Sequence, residues 1–211
     1  MGNEKIKLSR FVRTIWATLL FLSTSIGWGK EIKPVDPDGL PFLLVHENTC
    51  NSYLIRSGDA CLIIDWGTGG FLPHLNGLGI NKVERVLFTH HHREQLQGAG
   101  LIDRSTAKVW APAKERDFFE KPASFRKWWP KLGDKFSVYG ASYLRPPAYP
   151  IALDRVLEDG ESFDWKGFRF TGISTPGHSP GHMAYLLERD GKTIAFTGGH
   201  FHDGAKLSTW F

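Results

Sequence analysis

The 211-residue chain is 41% apolar, enough for one domain with a sizeable core. Its formal charge is +4, but Lys5, Lys7, Arg10 and Arg13 against Glu4 account for +3 of that in the first thirteen residues. The pI of about 9.1 is therefore a property of the N-terminus. With no Lys/Arg stripe elsewhere beyond Arg126-Lys127 and Lys131, no nucleic-acid partner is expected.

After the basic run comes an uncharged stretch from Thr14 to Gly29, with Leu19-Leu20-Phe21-Leu22 at its centre and small residues at Ser25, Gly27 and Gly29. A positive leader, an apolar core and a small-residue cleavage site make an export signal. Residues 1–29 are thus expected to be a signal peptide, and the mature protein to be periplasmic or secreted. An uncleaved membrane anchor is the alternative, though the run falls short of the roughly 20 apolar residues a span needs. The membrane would be a partner only through this segment. Residues 30–40, with Pro34, Asp36, Pro37 and Asp38, read as a polar linker.

Phe42-Leu43-Leu44-Val45 reads as a strand, and Asn51–Arg56 with Ala60–Asp65 as a hairpin around Ser57-Gly58-Asp59-Ala60. Pairing Ser57 with Ala60 sets Cys50 opposite Gly67. Cys61 then lies about 20 Å away at strand rise. A disulfide needs Cα atoms within about 7 Å, so both cysteines are expected to be free. Asp65-Trp66-Gly67-Thr68-Gly69-Gly70 is a glycine-rich turn lacking the lysine and spacing of a phosphate loop.

Phe71–Ile80 reads as a short helix ending at glycine, Lys82–Thr89 as a buried strand and Lys108–Ala111 as the next. This order suggests parallel neighbours with helices packed outside. Between Ala113 and Pro150 lie Phe118, Phe119, Phe125, Trp128, Trp129, Phe136, Tyr139, Tyr143 and Tyr149, which either fill a core or line a pocket. Asp154–Asp164 and Phe168–Ile173 are expected in a second sheet. Met183–Leu187 and Thr193–Phe196 follow, joined by the turn Arg189-Asp190-Gly191-Lys192.

Histidines gather at two strand ends. Val86-Leu87-Phe88 runs into Thr89-His90-His91-His92-Arg93-Glu94-Gln95. Side chains at i and i+2 of an extended chain share a side, so His90 and His92 can reach one ion; a helix would spread them by roughly 200°. His91 has the opposite parity and reads as a supporting or structural residue. Far downstream, Ser174-Thr175-Pro176-Gly177-His178-Ser179-Pro180-Gly181-His182 sets His178 in a tight turn after another apolar strand. His182 opens the following strand, as a buried, hydrogen-bonded histidine or a support for the ligands. Three imidazoles on rigid supports, with one position open, suit zinc. Zinc lowers the pKa of bound water to near 7, which equips such a site to attack an ester, lactam or thioester carbonyl.

These motifs, in this order, resemble the metallo-β-lactamase fold superfamily in its glyoxalase II-like branch. The hallmark there is His-x-His-x-Asp-His after a strand, then a Pro-Gly-His turn and a later Gly-Asp. The resemblance runs from about Pro41 to the C-terminus. It implies an α/β fold, an αββα sandwich, with residues 41–211 forming a partial domain whose C-terminal half is incomplete. It also implies His90, His92 and His178 as ligands of the first metal, Asp65 as a carboxylate beneath them, and a small-molecule substrate. The second metal is where the pattern departs, since Glu94, Gln95 and Gly199 stand in place of Asp, His and a bridging Asp. One zinc ion with Glu94 as general base is the expectation. The alternative is a second ion held by Glu94, His200 and Asp203. The expected function is an exported metal-dependent hydrolase of a small ester-, thioester- or amide-type substrate. Its alternatives are a non-catalytic binding module with a decayed site, or an N-terminal fragment of a larger protein. The ending Leu207-Ser208-Thr209-Trp210-Phe211, with no helix stop or polar tail, favours the fragment.

Overall fold

Two sheets face one another across a shared apolar layer in the computed structural model, which describes residues 31–125, 149–202 and 206–207. The first sheet has seven strands in chain order: β1 (Ile32–Pro34), β2 (Leu43–Glu47), β3 (Asn51–Ser57), β4 (Ala60–Ile64), β5 (Lys82–Leu87), β6 (Lys108–Pro112) and β7 (Arg155–Leu157). Neighbours from β1 to β4 are antiparallel, and those from β4 to β7 are parallel. The second sheet is antiparallel, in the order β11 (Lys192–Phe196), β10 (Met183–Arg189), β9 (Phe168–Ser174), β8 (Ser162–Trp165).

The period-two pattern explains the layering. Along β4, Cys61 and Ile63 join one core with Val86, Val109, Leu96 and Phe119, where the helical segments pack. Ala60, Leu62 and Ile64 join the other, with Phe163, Phe170, Tyr185 and Leu187 of the second sheet. Burying each such side chain contributes roughly 1.5–3 kcal/mol. The pairing of β4 with β5 skips Glu84: Cys61 faces Val83, whereas Leu62 faces Arg85. That bulge leaves Val83 in the core under the helical segments and turns Arg85 toward the second sheet, where its guanidinium sits 4.3 Å from the Trp110 ring. It also sets the face from which the chain leaves β5 toward the histidines.

The hairpin register is as expected, with Ser57 opposite Ala60. A Cβ on Gly67 would come within 3.4 Å of Cys50 Sγ, and both cysteines are free. Three expectations are corrected. The leader is not all linker, because Ile32–Pro34 adds an edge strand to β2. Phe71–Ile80 forms two 3-10 turns, Leu72–His74 and Asn76–Leu78, rather than one helix; Pro73 and Gly77 interrupt any longer run. Arg155–Leu157 belongs to the first sheet, pairing with β6, and only Ser162–Trp165 enters the second. Of the aromatic stretch, Phe119 is core and Phe118 stacks on His91, while the exposed Tyr149 accepts the Gly100 N–H on its hydroxyl oxygen at 2.9 Å. The aromatics from Trp128 to Tyr143, the expected signal peptide and Asp203 lie outside the described residues.

Candidate metal centre

β5 ends at Leu87, so the three histidines lie in the connection beyond it, not in the strand itself. His92 is extended (φ −64°, ψ 147°) and precedes the one-turn helix α1 (Arg93–Leu96). Parity nevertheless sorts them. His90, His92, Glu94 and His178 each offer a ligand atom, and these atoms all lie within 4.8 Å of one another. His92 Nδ1 is 3.0 Å from His178 Nε2. Glu94 Oε1 is 3.7 Å from His92 Nδ1 and 3.9 Å from His90 Nε2.

All three imidazoles are buried. Burial, then repulsion from neighbouring imidazoles, holds His90 well below its ordinary pKa and His92 at about 2. Both are therefore neutral near pH 7, as a metal ligand must be. Burial pushes Glu94 up to about 7. The orphaned atoms point to a cation: His90 Nε2 and Glu94 Oε2 are buried with no hydrogen-bond partner. Three imidazoles are a donor set that zinc accepts with one position open, and the Glu94 carboxylate lies beside them.

His90 is oriented from behind. Asp65 ends β4 in a left-handed conformation (φ 57°) and is buried. Its carboxylate accepts the Thr89 N–H and the Thr89 hydroxyl, each at 2.9 Å. The Thr89 oxygen lies 2.9 Å from His90 Nδ1. With its own proton directed at Asp65, that oxygen accepts from Nδ1–H, which leaves the Nε2 lone pair free on the side of the cluster. Burial raises Asp65 to about 7, against the pull of the Thr89 hydrogen bonds.

His91 turns the other way. Its ring stacks on Phe118 with centroids 4.0 Å apart, and its Nδ1 meets the Glu115 carboxylate. Glu115 precedes α2 (Arg116–Glu120) and is fully buried.

The sequence profile of the metallo-beta-lactamase superfamily matches residues 47–211. The chain belongs to that superfamily. The hydroxyacylglutathione hydrolase of Bdellovibrio bacteriovorus is 25% identical over 162 residues, covering 75% of this chain and 48% of its own length. An atrochrysone carboxyl ACP thioesterase of Aspergillus fumigatus is 27% identical over 173 residues, covering 76% of this chain and 32% of its own. This chain thus spans about half or less of those curated relatives. Among solved structures, the Cronobacter sakazakii metallo-beta-lactamase described by its HARLDQ motif superposes with a TM-score of 0.60 at 19% identity, covering 79% of this chain and 64% of that one. Set beside that motif, His90-His91-His92-Arg93-Glu94-Gln95 shares the first histidine, a carboxylate in fifth place and the final glutamine.

The remaining positions of the superfamily pattern differ from a ligand set. Gln95 is buried with its Oε1 unpartnered. Gly199 carries no side chain, and the space a Cβ would take is filled: it would lie 2.3 Å from His178 Nε2. His182 is buried against His90, with ring centroids 4.9 Å apart, and shares a 2.8 Å hydrogen bond with Thr175. His200 stacks on His182 with centroids 4.7 Å apart and planes 10° from parallel. Lone pairs in parallel planes do not converge on one ion, and His200 stands apart from the cluster of four. A cleft of about 770 Å³ opens over Glu94 and His178, walled by Asn48, Thr49, Tyr53 and Phe201.

Two residues escaped the sequence reading. Thr89 reads from sequence as the end of a strand, although its position between Asp65 and His90 gives it an orienting role. Glu115 sits in a run of charges, Lys114-Glu115-Arg116-Asp117, that reads as solvated. The available signal was its i, i+3, i+4 spacing to Phe118 and Phe119, which places it on the buried side of that turn.

Proposed function

We propose that the protein is an exported zinc-dependent hydrolase of a small thioester-type substrate, working with one ion. The observation that carries this reading is the convergence of His90, His92, His178 and Glu94 within 4.8 Å at the floor of an open cleft. When bound, zinc supplies the Lewis acid for a carbonyl oxygen and activates water. His90, His92 and His178 would hold it. Glu94, whose Oε1 lies 3.7 Å from His92 Nδ1 and 3.9 Å from His90 Nε2, would orient the attacking water and take its proton. A thioester is favoured over a lactam because the curated relatives are named as an acylglutathione hydrolase and an ACP thioesterase. One ion is favoured because neither Gln95 nor Gly199 offers a second ion what an imidazole or a bridging carboxylate would.

The test is elemental analysis of the purified chain, together with hydrolysis of S-acyl thioesters beside the matched oxygen esters and amides. One zinc per chain, thioester turnover lost on chelation and regained with zinc, and loss of both in His92→Ala are expected. A wild-type chain that retains no zinc overturns the metal centre. A zinc-loaded chain that turns over no acyl substrate overturns the hydrolase.

A further inference from the structure

We propose that Glu115 is a positioning residue of the metal centre: its one carboxylate ties the His90–His92 connection to the His178–His182 turn and so sets the separation of the imidazoles they carry. This rests on the metal-binding reading above.

The two oxygens serve different segments. Oε2 accepts the His91 backbone N–H at 3.1 Å and the His91 Nδ1–H. Oε1 accepts the Ser179 hydroxyl and the Gly181 N–H, each at 2.7 Å. A carboxylate offers about four lone-pair sites, and these four bonds use them all. Glu115 is 0% exposed, as is Ser179, so no water competes for those sites. Burying a charge costs several kcal/mol unless it is fully hydrogen-bonded. Packing alone does not call for one here.

The neighbourhood is shaped to bring the turn against the carboxylate. A Cβ on Gly181 would lie 2.8 Å from Glu115 Cγ and 2.8 Å from the Lys114 carbonyl carbon, so only glycine allows this approach. His91 is clamped on its other side by Phe118, with the rings 9° from parallel. Elsewhere the two segments meet at their roots, where Met183 N–H donates to Thr89 O at 3.0 Å. Glu115 joins them further out, beside the ligands. The odd-parity histidine thus acquires a role: it cannot reach the ion, and it anchors the two that do.

The experiment compares the full wild-type chain with Glu115→Gln, Ser179→Ala and the double variant. Read-outs are zinc affinity by chelator competition, the visible spectrum of the cobalt-substituted protein, and the melting temperature of the zinc-free protein. Glutamine keeps the shape but presents an NH2 group to two donors. Glu115→Gln is expected to weaken zinc binding 10- to 100-fold and to alter the cobalt spectrum. Ser179→Ala should weaken binding several-fold, and the double variant should be no worse than Glu115→Gln alone, since both act through one contact. A purely structural role would lower the zinc-free melting temperature while leaving the cobalt spectrum and zinc affinity as in wild type; that result overturns the proposal. If Glu115→Gln does not fold, Ser179→Ala decides alone, and unchanged zinc affinity with an unchanged spectrum overturns it. A wild-type chain that binds no zinc would instead count against the proposed function.

Discussion

Replacing Gly199 by alanine adds one methyl group where the superfamily pattern has a bridging aspartate, and the structure says what that methyl meets. It would lie 2.3 Å from His178 Nε2, 2.6 Å from Cδ2 and 2.8 Å from Cε1. Reaching an ordinary contact of 3.4 Å requires the ring to retreat by about 1 Å. His178 has little room for this, because its Nε2 is 3.0 Å from His92 Nδ1 and its centroid 4.7 Å from those of both His90 and His92. Overpacking of this kind costs about 1–3 kcal/mol. For the metal the consequence is larger, since ligand distances tolerate only about 0.2 Å. Zinc binding should weaken at least 100-fold, about 2.8 kcal/mol at 1.4 kcal/mol per decade. Chelator competition measures it, with circular dichroism as the check on folding. Gly77→Ala is the control, since a Cβ there meets nothing within 4 Å. Zinc affinity in Gly199→Ala within threefold of wild type would refute the packing argument. The same geometry predicts that Gly199→Asp does not restore a second ion, because its own Cβ displaces His178 first.

Acid should destabilise the zinc-free protein with a slope the site predicts. Burial keeps His90, His92 and His182 neutral when folded, with His92 at about 2 and His182 at about 3, and raises Asp65 and Glu94 to about 7. Between about pH 6 and 5 the unfolded chain carries nearly three protons on those imidazoles while the folded chain holds nearly two on the carboxylates. The net of one proton lowers stability by about 1.4 kcal/mol per pH unit on acidification; urea melts across that range should show it, and stability rising with acid would contradict neutral imidazoles. Export predicts a mature N-terminus just after Gly27 or Gly29 in protein sequenced from its native host. A soluble cytoplasmic chain still beginning at Met1 would refute it.

What the sequence made legible is what depends on neighbours in the chain. The unbroken apolar run Ala60–Ile64 marks a strand buried on both faces, and the Ser57–Ala60 turn sets its register, hence the free cysteines. The sorting of His90 and His92 from His91 is likewise local, even though they lie just past the strand. What stayed hidden depends on partners far away. Arg155–Leu157 is three residues long, and nothing within it says that β6 is its neighbour. Glu115 is 24 residues from His91 and 64 from Ser179, so its hydrogen bonds have no local pattern. At Gly199 the sequence shows a missing carboxylate; only the fold shows that a histidine ring lies where its Cβ would be.

The glycine-rich turn after β4 belongs to the same logic. Without a lysine or phosphate-loop spacing it had no function in the sequence, yet its backbone holds the carboxylate end of the site. Trp66 N–H and Gly67 N–H both donate to Gln95 O at 2.8 Å, and Gly98 N–H returns a bond to Gly67 O at 2.8 Å. The Thr49 hydroxyl donates to Glu94 O at 3.0 Å. Gly67 needs φ 58° to present its N–H in this way, and a Cβ on Gly98 would lie 2.1 Å from Thr68 O. α1 is one turn long, too short to hold its shape through its own hydrogen bonds. The turn, by capping the Gln95 carbonyl, and Thr49, by capping that of Glu94, do this for it, so Glu94 meets the imidazoles from a fixed backbone. His90 is held through Asp65 and Thr89, and Glu94 through the turn that begins at Asp65. Asp65 therefore stands at the root of two of the four residues of the cluster, and its left-handed backbone is strain kept where it positions both.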